Sequence, residues 1–85
     1  MQSQSAYFEQ LRNLLAELTG NEAGDIHPDS LMVDDLGIAD EADLPRIVKR
    51  INAHFDIHLA TSDVANEAET VEDLLMLITD EAELG

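Results

Sequence analysis

Apolar residues recur with the spacing of one helical face in three separate segments of the chain, and this pattern restricts the possible folds more than any other feature. The first face has apolar residues at positions i, i+3, i+4 and i+7, namely Tyr7, Phe8, Leu11, Leu14, Leu15 and Leu18. Ser5 can cap this segment and Gly20 can end it, so we predict a helix over about 5–19.

The second helical face consists of Leu44, Ile47, Val48, Ile51 and Phe55. Pro45 fits only the first turn of a helix, because further along it would remove a backbone donor and clash with the preceding turn. This helix is therefore predicted to begin near Asp43 or Leu44 and to end near Phe55.

The third face consists of Val71, Leu74, Leu75, Ile78 and Ala82. Thr70 and Asp73 have the spacing of a capping box in front of it, so we predict a last helix over about 71–82. The preceding residues 60–65 predict a short helical turn capped by Thr61 or Ser62.

A loop of about two dozen residues, 20–43, separates the first two long helices. It carries apolar residues at irregular spacing, which we expect to anchor it on the helices: Ile26, Leu31, Met32, Val33, Leu36 and Ile38. Long ordered loops of this kind are often functional.

No segment shows the alternation typical of strands, so the pattern predicts an all-α bundle of three main helices and one short helix. The 85 residues fit a single domain, 1–85, with its core over about 5–82, and the 4% aromatic content predicts an aliphatic core. Met32 and Met76 occupy apolar positions and are expected in that core.

The absence of cysteine excludes disulfides and thiolate metal sites. With no apolar run of membrane-spanning length and no secretory signal, we expect a cytoplasmic protein.

The chain has 19 acidic and four basic residues, a formal net charge of −15. Nucleic acids and anionic membranes both require positive potential on the protein, so we expect neither as a partner. Other proteins, bound by a monomer, are the expected partners. An acidic mimic that presents its negative surface to a basic target is one alternative of this kind.

Three motifs in order resemble the acyl carrier protein family. Residues 26–37 read Ile-His-Pro-Asp-Ser-Leu-Met-Val-Asp-Asp-Leu-Gly, which is similar to that family's loop, Ile-x-Pro-x-x-x-Phe-x-x-Asp-Leu-Gly. Phe55-Asp56-Ile57 and Thr70-Val71 resemble its motifs at the end of helix two and at the start of the last helix. The resemblance covers about residues 7–78 and implies a four-helix bundle with a long first loop.

The resemblance also implies a serine at the start of helix two that carries 4′-phosphopantetheine, and this serine is missing. Counting forward from Gly37 places Asp40 at its position, whereas counting back from Phe55 places Glu41 there. A carboxylate cannot serve as the alcohol in phosphopantetheinyl transfer, so we expect no cofactor. The alternative is a working carrier that bears the group on Ser30, which belongs to an Asp-Ser-Leu in the first loop and is otherwise expected to cap a turn.

Helix two of the family is acidic and docks on basic patches, but here it carries three of the four bases. Arg46, Lys49 and Arg50 have i, i+3, i+4 spacing, and His54 extends the row. Asp43 lies three residues before Arg46, within pairing distance. The row is therefore either a solvated face balanced by acids or a positive surface that binds a partner.

No arrangement of residues predicts catalysis or a metal site. His54 and His58 are four residues apart, but helix two is expected to end between them. The acidic pairs lack the order of a calcium loop, and no nucleophile, base and acid can be grouped. We therefore predict a non-catalytic, carrier-like interaction module with a contact surface formed by Asp40, Glu41, Arg46, Lys49 and Arg50.

Overall fold

The predicted helices are present in the structure, a computed structural model that describes the backbone of residues 4–38 and 42–84 and the side chains of 6–38 and 42–83. The helices of the described part are α1 (Gln4–Thr19), a 3₁₀ helix (Ala23–Asp25), α2 (Leu44–Phe55), α3 (Thr61–Glu67) and α4 (Val71–Leu84). Both α1 and α3 pack against α2 and α4. Strand-like pairing in the described residues is limited to one antiparallel bridge between Leu31 and Thr70. The all-α fold class is confirmed.

Aliphatic side chains form the core where the helices meet. Each long helix contributes residues that are fully enclosed, including Leu11 and Leu15 of α1, Ile47 and Ile51 of α2, and Leu74 and Ile78 of α4. Burying each such side chain contributes roughly 1.5–3 kcal/mol. The aromatic rings lie at the edge of this core, with the ring centres of Tyr7 and Phe55 5.9 Å apart.

The predicted C-terminal end of α1 is correct, whereas two of the predicted caps are wrong. The N–H of Gly20 donates to the carbonyl of Ala16 (3.0 Å), and Gly20 has φ +79°, a conformation that glycine adopts without strain, so α1 ends as predicted. Ser5 is not a cap, because α1 already includes Gln4. The residue before α3 is Ala60, whose side chain makes no capping bond, and Thr61 is already helical.

The turn that leads into α3 is fixed by Asn52 rather than by a side-chain cap. The Asn52 amide donates through Nδ2 to the carbonyl of Leu59 (3.0 Å) and accepts the N–H of Leu59 at Oδ1 (2.8 Å). This pair of bonds ties the segment just before α3 to α2.

The capping box at the start of α4 is confirmed. The N–H of Asp73 donates to Oγ1 of Thr70 (3.1 Å), while Oδ2 of Asp73 accepts the N–H groups of Glu69 (3.2 Å) and Thr70 (3.3 Å). These backbone donors, first that of Glu69 and then that of Thr70, hold the pKa of the Asp73 carboxyl below its ordinary value.

The long loop is anchored as predicted, but not by all six apolar residues. Ile26, Met32, Leu36 and Ile38 are buried, whereas Leu31 is 36% and Val33 is 50% exposed. The loop winds in tight turns over residues 31–37, so residues four apart point to the same side. Met32 and Leu36 therefore face the core, while the side chains that flank Met32 face solvent.

Met76, predicted in the core, is 51% exposed. It lies about 140° around α4 from Val71, on the side opposite the buried row.

In the described part of the chain, no helix combines the length and the apolar character needed to cross a membrane.

Candidate functional site

The loop that leads to α2 is hydrogen-bonded through its backbone to the start of α4. The N–H of Met32 donates to the carbonyl of Glu69 (3.0 Å), that of Val71 to the carbonyl of Ser30 (3.0 Å), and that of Glu72 to the carbonyl of Pro28 (2.8 Å). The first N–H groups of a helix have no partner within the helix, so the loop satisfies two of those in α4. These three bonds place the loop against α4 before it turns toward α2.

The end of the loop is fixed by two further sets of bonds. The N–H of Ile38 donates to the carbonyl of Met32 (3.0 Å), and Gly37, with φ +74°, makes the turn between them. From the other side, Nδ2 of Asn21 donates to the carbonyl of Leu36 (3.0 Å) and to Oγ1 of Thr19 (2.8 Å). The end of α1 thereby holds the loop just before the entrance to α2.

The entrance to α2 combines a buried leucine with a proline in the first turn. Leu44 is buried, Pro45 is the second helical residue, and the N–H of Ile47 donates to the carbonyl of Asp43 (3.0 Å). Helix two thus begins where its sequence predicts. Asp40 and Glu41, the two candidates for the family's serine position, lie outside the described residues, and the choice between them stays a prediction.

Ser30 caps a turn, as predicted, and its hydroxyl is shielded. Its Oγ accepts the N–H of His27 (2.9 Å), its own N–H donates to the carbonyl of His27 (3.0 Å), and only 7% of the residue is exposed. A transferase needs the hydroxyl to face solvent. In this conformation, Ser30 does not fit the attachment of a prosthetic group.

The basic residues of α2 form an exposed row, which we call the basic stripe: Arg46, Lys49 and Arg50. An Nη of Arg46 lies 3.7 Å from a carboxylate oxygen of Asp43, which is the predicted pair, and the two side chains are 56% and 38% exposed. An ion pair this exposed holds its side chains only weakly. The stripe therefore presents its charge to solvent.

His54 continues the stripe along α2 but is directed toward α1. Its Nε2 lies 3.2 Å from Oε1 of Gln10, and its ring meets that of Phe55 edge-on. His58 follows the end of α2, as expected. Among the described residues, no three side chains of metal-ligating type converge, and the prediction that the chain binds no metal stays a prediction.

A shallow groove beside the loop was not predicted. Leu31 and Val33 line it together with Asp34, and the other wall is formed by Ala65, Ala68 and Glu69; its volume is about 380 Å³. The sequence signal that could have indicated the groove is the i, i+4 spacing of Met32 and Leu36. If these two residues face the core, Leu31 and Val33 beside Met32 face solvent.

Comparison with known proteins identifies the family. A family model described as the phosphopantetheine attachment site matches residues 9–78, which include most of α1, the long loop, α2, α3 and the first half of α4. The chain belongs to this family. An acyl carrier protein of Solidesulfovibrio magneticus is 29% identical over 70 residues, which cover 82% of this chain and 87% of that protein. Acyl carrier proteins are in general non-catalytic carriers that interact with biosynthetic enzymes.

The expectation of no cofactor is wrong in light of these matches. Both the family model and the relative named acyl carrier protein point to a 4′-phosphopantetheine group. The expectation rested on a single position, the missing serine before α2, whereas the matches extend over most of the chain. The sequence has no hydroxyl-bearing residue at positions 38–43.

Proposed function

We propose that this chain is an acyl carrier protein that bears 4′-phosphopantetheine on a hydroxyl outside the family's usual position and that docks on biosynthetic enzymes. The observation that carries the proposal is the family match over residues 9–78 together with the four-helix fold. When bound, the group supplies a thiol that can hold an acyl chain as a thioester. The chain's own contribution is to present the group and to bind the enzyme that uses it.

Two serines have side chains that the structure describes, and they differ in access to solvent. Ser30, the alternative that the sequence suggests, is buried and hydrogen-bonded, whereas Ser62 is exposed in the first turn of α3. Loading at Ser30 would require the turn at residues 27–30 to open. The accessibility of the hydroxyl therefore disfavours Ser30 in the conformation described.

The loading reaction tests this proposal directly. The purified protein is incubated with coenzyme A and a phosphopantetheinyl transferase of broad specificity, and its intact mass is measured. We expect the gain of one phosphopantetheine, retained in Ser30→Ala because the Ser30 hydroxyl is shielded, and peptide mass mapping then gives the modified residue. Ser62→Ala is the matched variant at the exposed serine, and loss of the mass gain in this variant would place the group on Ser62. An unchanged wild-type mass, while a known carrier protein is loaded in the same reaction, would overturn the proposal.

For docking, we propose the surface around the start of α2, formed by Asp40, Glu41, Arg46, Lys49 and Arg50. Support comes from the exposure of the basic stripe and from its position on the helix that follows the family's loop motif. Reversing the charge of all three bases to Glu is expected to abolish capture of a partner enzyme while the helical circular dichroism stays unchanged. Undiminished capture by that variant would remove the stripe from the docking surface.

A further inference from the structure

Three of the four basic residues of the chain lie side by side on one helix. Arg46, Lys49 and Arg50 occupy i, i+3 and i+4 positions of α2, so they fall within about 6 Å along its axis. All three are exposed. The fourth base, Arg12, lies on α1 with Cζ 5.5 Å from the ring centre of its neighbour Phe8. The positive charge of the molecule is therefore concentrated on one face of α2.

This charge is only partly balanced by neighbouring acids. Asp43 pairs with Arg46 at 3.7 Å in a solvated geometry. Elsewhere in the described part of the chain, no carboxylate lies within ion-pair distance of Lys49 or Arg50. Among the described residues, Lys49 and Arg50 therefore remain available to bind carboxylates of a partner.

We infer that the basic stripe docks on a localised patch of carboxylates on a partner protein. Lysine and arginine in a row at helical spacing match acidic side chains spaced in the same way, and such complementarity fixes orientation and accelerates association. The inference rests on the proposed function only in taking α2 as the docking surface. It adds to the proposed function that the surface of the partner is negatively charged.

The remaining surface explains why the partner is a protein with a local patch rather than an extended polyanion. A nucleic acid or an anionic membrane presents negative charge over an area larger than this molecule, so the 19 acidic residues would be repelled as the stripe approached. Screening reduces such interactions beyond about 8–10 Å at moderate salt. Within that distance an acidic patch with a neutral or basic surround meets the stripe and its neighbour Asp43 rather than the whole acidic surface of the molecule.

A helical peptide with glutamates tests the inference. The probe is an alanine-based peptide with Glu at i, i+3 and i+4, and its control has Gln at the same positions. We expect the Glu peptide to change the amide chemical shifts of residues 46–54 of the isotope-labelled protein, and we expect added salt to reverse the changes. Shifts spread over other helices, or equal shifts with the Gln peptide, would contradict the inference.

A matched pair of variants separates the stripe from the overall charge. Lys49→Glu and Arg12→Glu alter the net charge equally, but only the first lies in the stripe. We expect Lys49→Glu to weaken peptide binding by about fivefold or more, a factor close to the value of one exposed ion pair, and Arg12→Glu to leave it nearly unchanged. Equal losses would mean that only the net charge matters and would overturn the inference. Binding of phosphatidylserine vesicles that depends on Lys49 would assign the stripe to membranes and also overturn it.

The loading reaction, run on the same wild-type preparation, keeps the two proposals distinguishable. A protein that gains phosphopantetheine but shows no shifts with the Glu peptide overturns the acidic partner and leaves the carrier function intact. A protein that shows the shifts on α2 but gains no group overturns the carrier function and supports the acidic partner.

Discussion

Asp73 organises the start of the last helix through three hydrogen bonds, two made by its side chain and one by its backbone N–H. It receives the N–H groups of Glu69 and Thr70, while its own N–H is accepted by the Thr70 hydroxyl. The backbone donors favour the ionised carboxylate, and its pKa is therefore lowered. A group whose pKa falls on folding stabilises the native state at pH values above its unfolded pKa.

Replacement of Asp73 should give a stability loss that depends on pH. We expect Asp73→Asn to unfold more easily than the wild type at neutral pH, because it loses the charge that the N–H groups stabilise. The difference in stability between the two proteins should shrink as the pH falls below 3.8, the ordinary pKa, and through the lower pKa of the folded protein. In that range the wild-type carboxyl also loses its charge. Urea unfolding of both proteins at a series of pH values measures this difference in the free energy of unfolding.

Glu72→Gln is the control for this prediction, since it removes the same charge from the same helical turn. It should show a smaller difference from the wild type across the same pH series. If the two variants respond alike, the effect belongs to the general charge of α4 and the capping box contributes nothing specific.

At the scale of the element, the long loop shows how an irregular segment divides its side chains between core and solvent. Met32 is 4% exposed and the adjacent Val33 is 50% exposed. The tight turns over 31–37 bring the former against the helices and leave the latter beside the groove. Neighbours in sequence therefore contribute very differently to stability.

The two neighbours form a matched pair of truncations. Met32→Ala is expected to lower the free energy of unfolding by about 2–3 kcal/mol, because it leaves a cavity in a packed region. Val33→Ala should change it by less than about 0.5 kcal/mol, since the side chain is already half in solvent. Urea unfolding of both variants measures the contrast, and comparable losses would show that the loop does not hold the described conformation.

Periodicity predicted the helices well because 3.6-residue spacing relates sequence directly to a buried face. Both ends of α2 and the capping box of α4 followed from Pro45, Phe55 and the Thr70–Asp73 spacing. The same reasoning does not apply to the loop, where no period exists and hydrophobicity alone placed Val33 inside. The cap of α3 was mispredicted for another reason: the residue before that helix is Ala60, which has no capping side chain, and the segment there is held instead by Asn52, eight residues earlier.

The positions of the basic row were predictable, but the burial of Ser30 was not. The row at Arg46, Lys49 and Arg50 followed from helical spacing, and its side chains are exposed, while their role in binding stays a prediction. That Ser30 caps a turn followed from its loop position, whereas its burial depends on bonds to α4, which lies some forty residues later in the chain. The cofactor was mispredicted because one missing serine outweighed a match that extends over most of the sequence.

At the scale of the whole molecule, like charges dominate the electrostatics. The sequence has 19 acidic and four basic residues, and the charged side chains that the structure describes lie outside a core of aliphatic side chains, so folding brings negative charges closer together. We therefore expect both partner binding and stability to depend on ionic strength.

Added salt should stabilise the protein. We expect the melting temperature to rise from low to moderate ionic strength, because counterions screen the repulsion among the carboxylates. Thermal unfolding followed by circular dichroism over a sodium chloride series is the measurement. A variant with Gln in place of the exposed Glu17 and Glu67 should melt higher at low salt and respond less to its addition. A melting temperature that does not move with salt would contradict this account.

The backbone bonds between the loop and α4 have a consequence for how the molecule comes apart. Freeing the turn at Ser30 would leave the N–H groups of Val71 and Glu72 without acceptors, so the two segments detach as one cooperative unit. Their amide protons should then exchange with solvent water at matching rates. We therefore expect opening of the turn that shields the Ser30 hydroxyl to be accompanied by fraying of the first residues of the last helix.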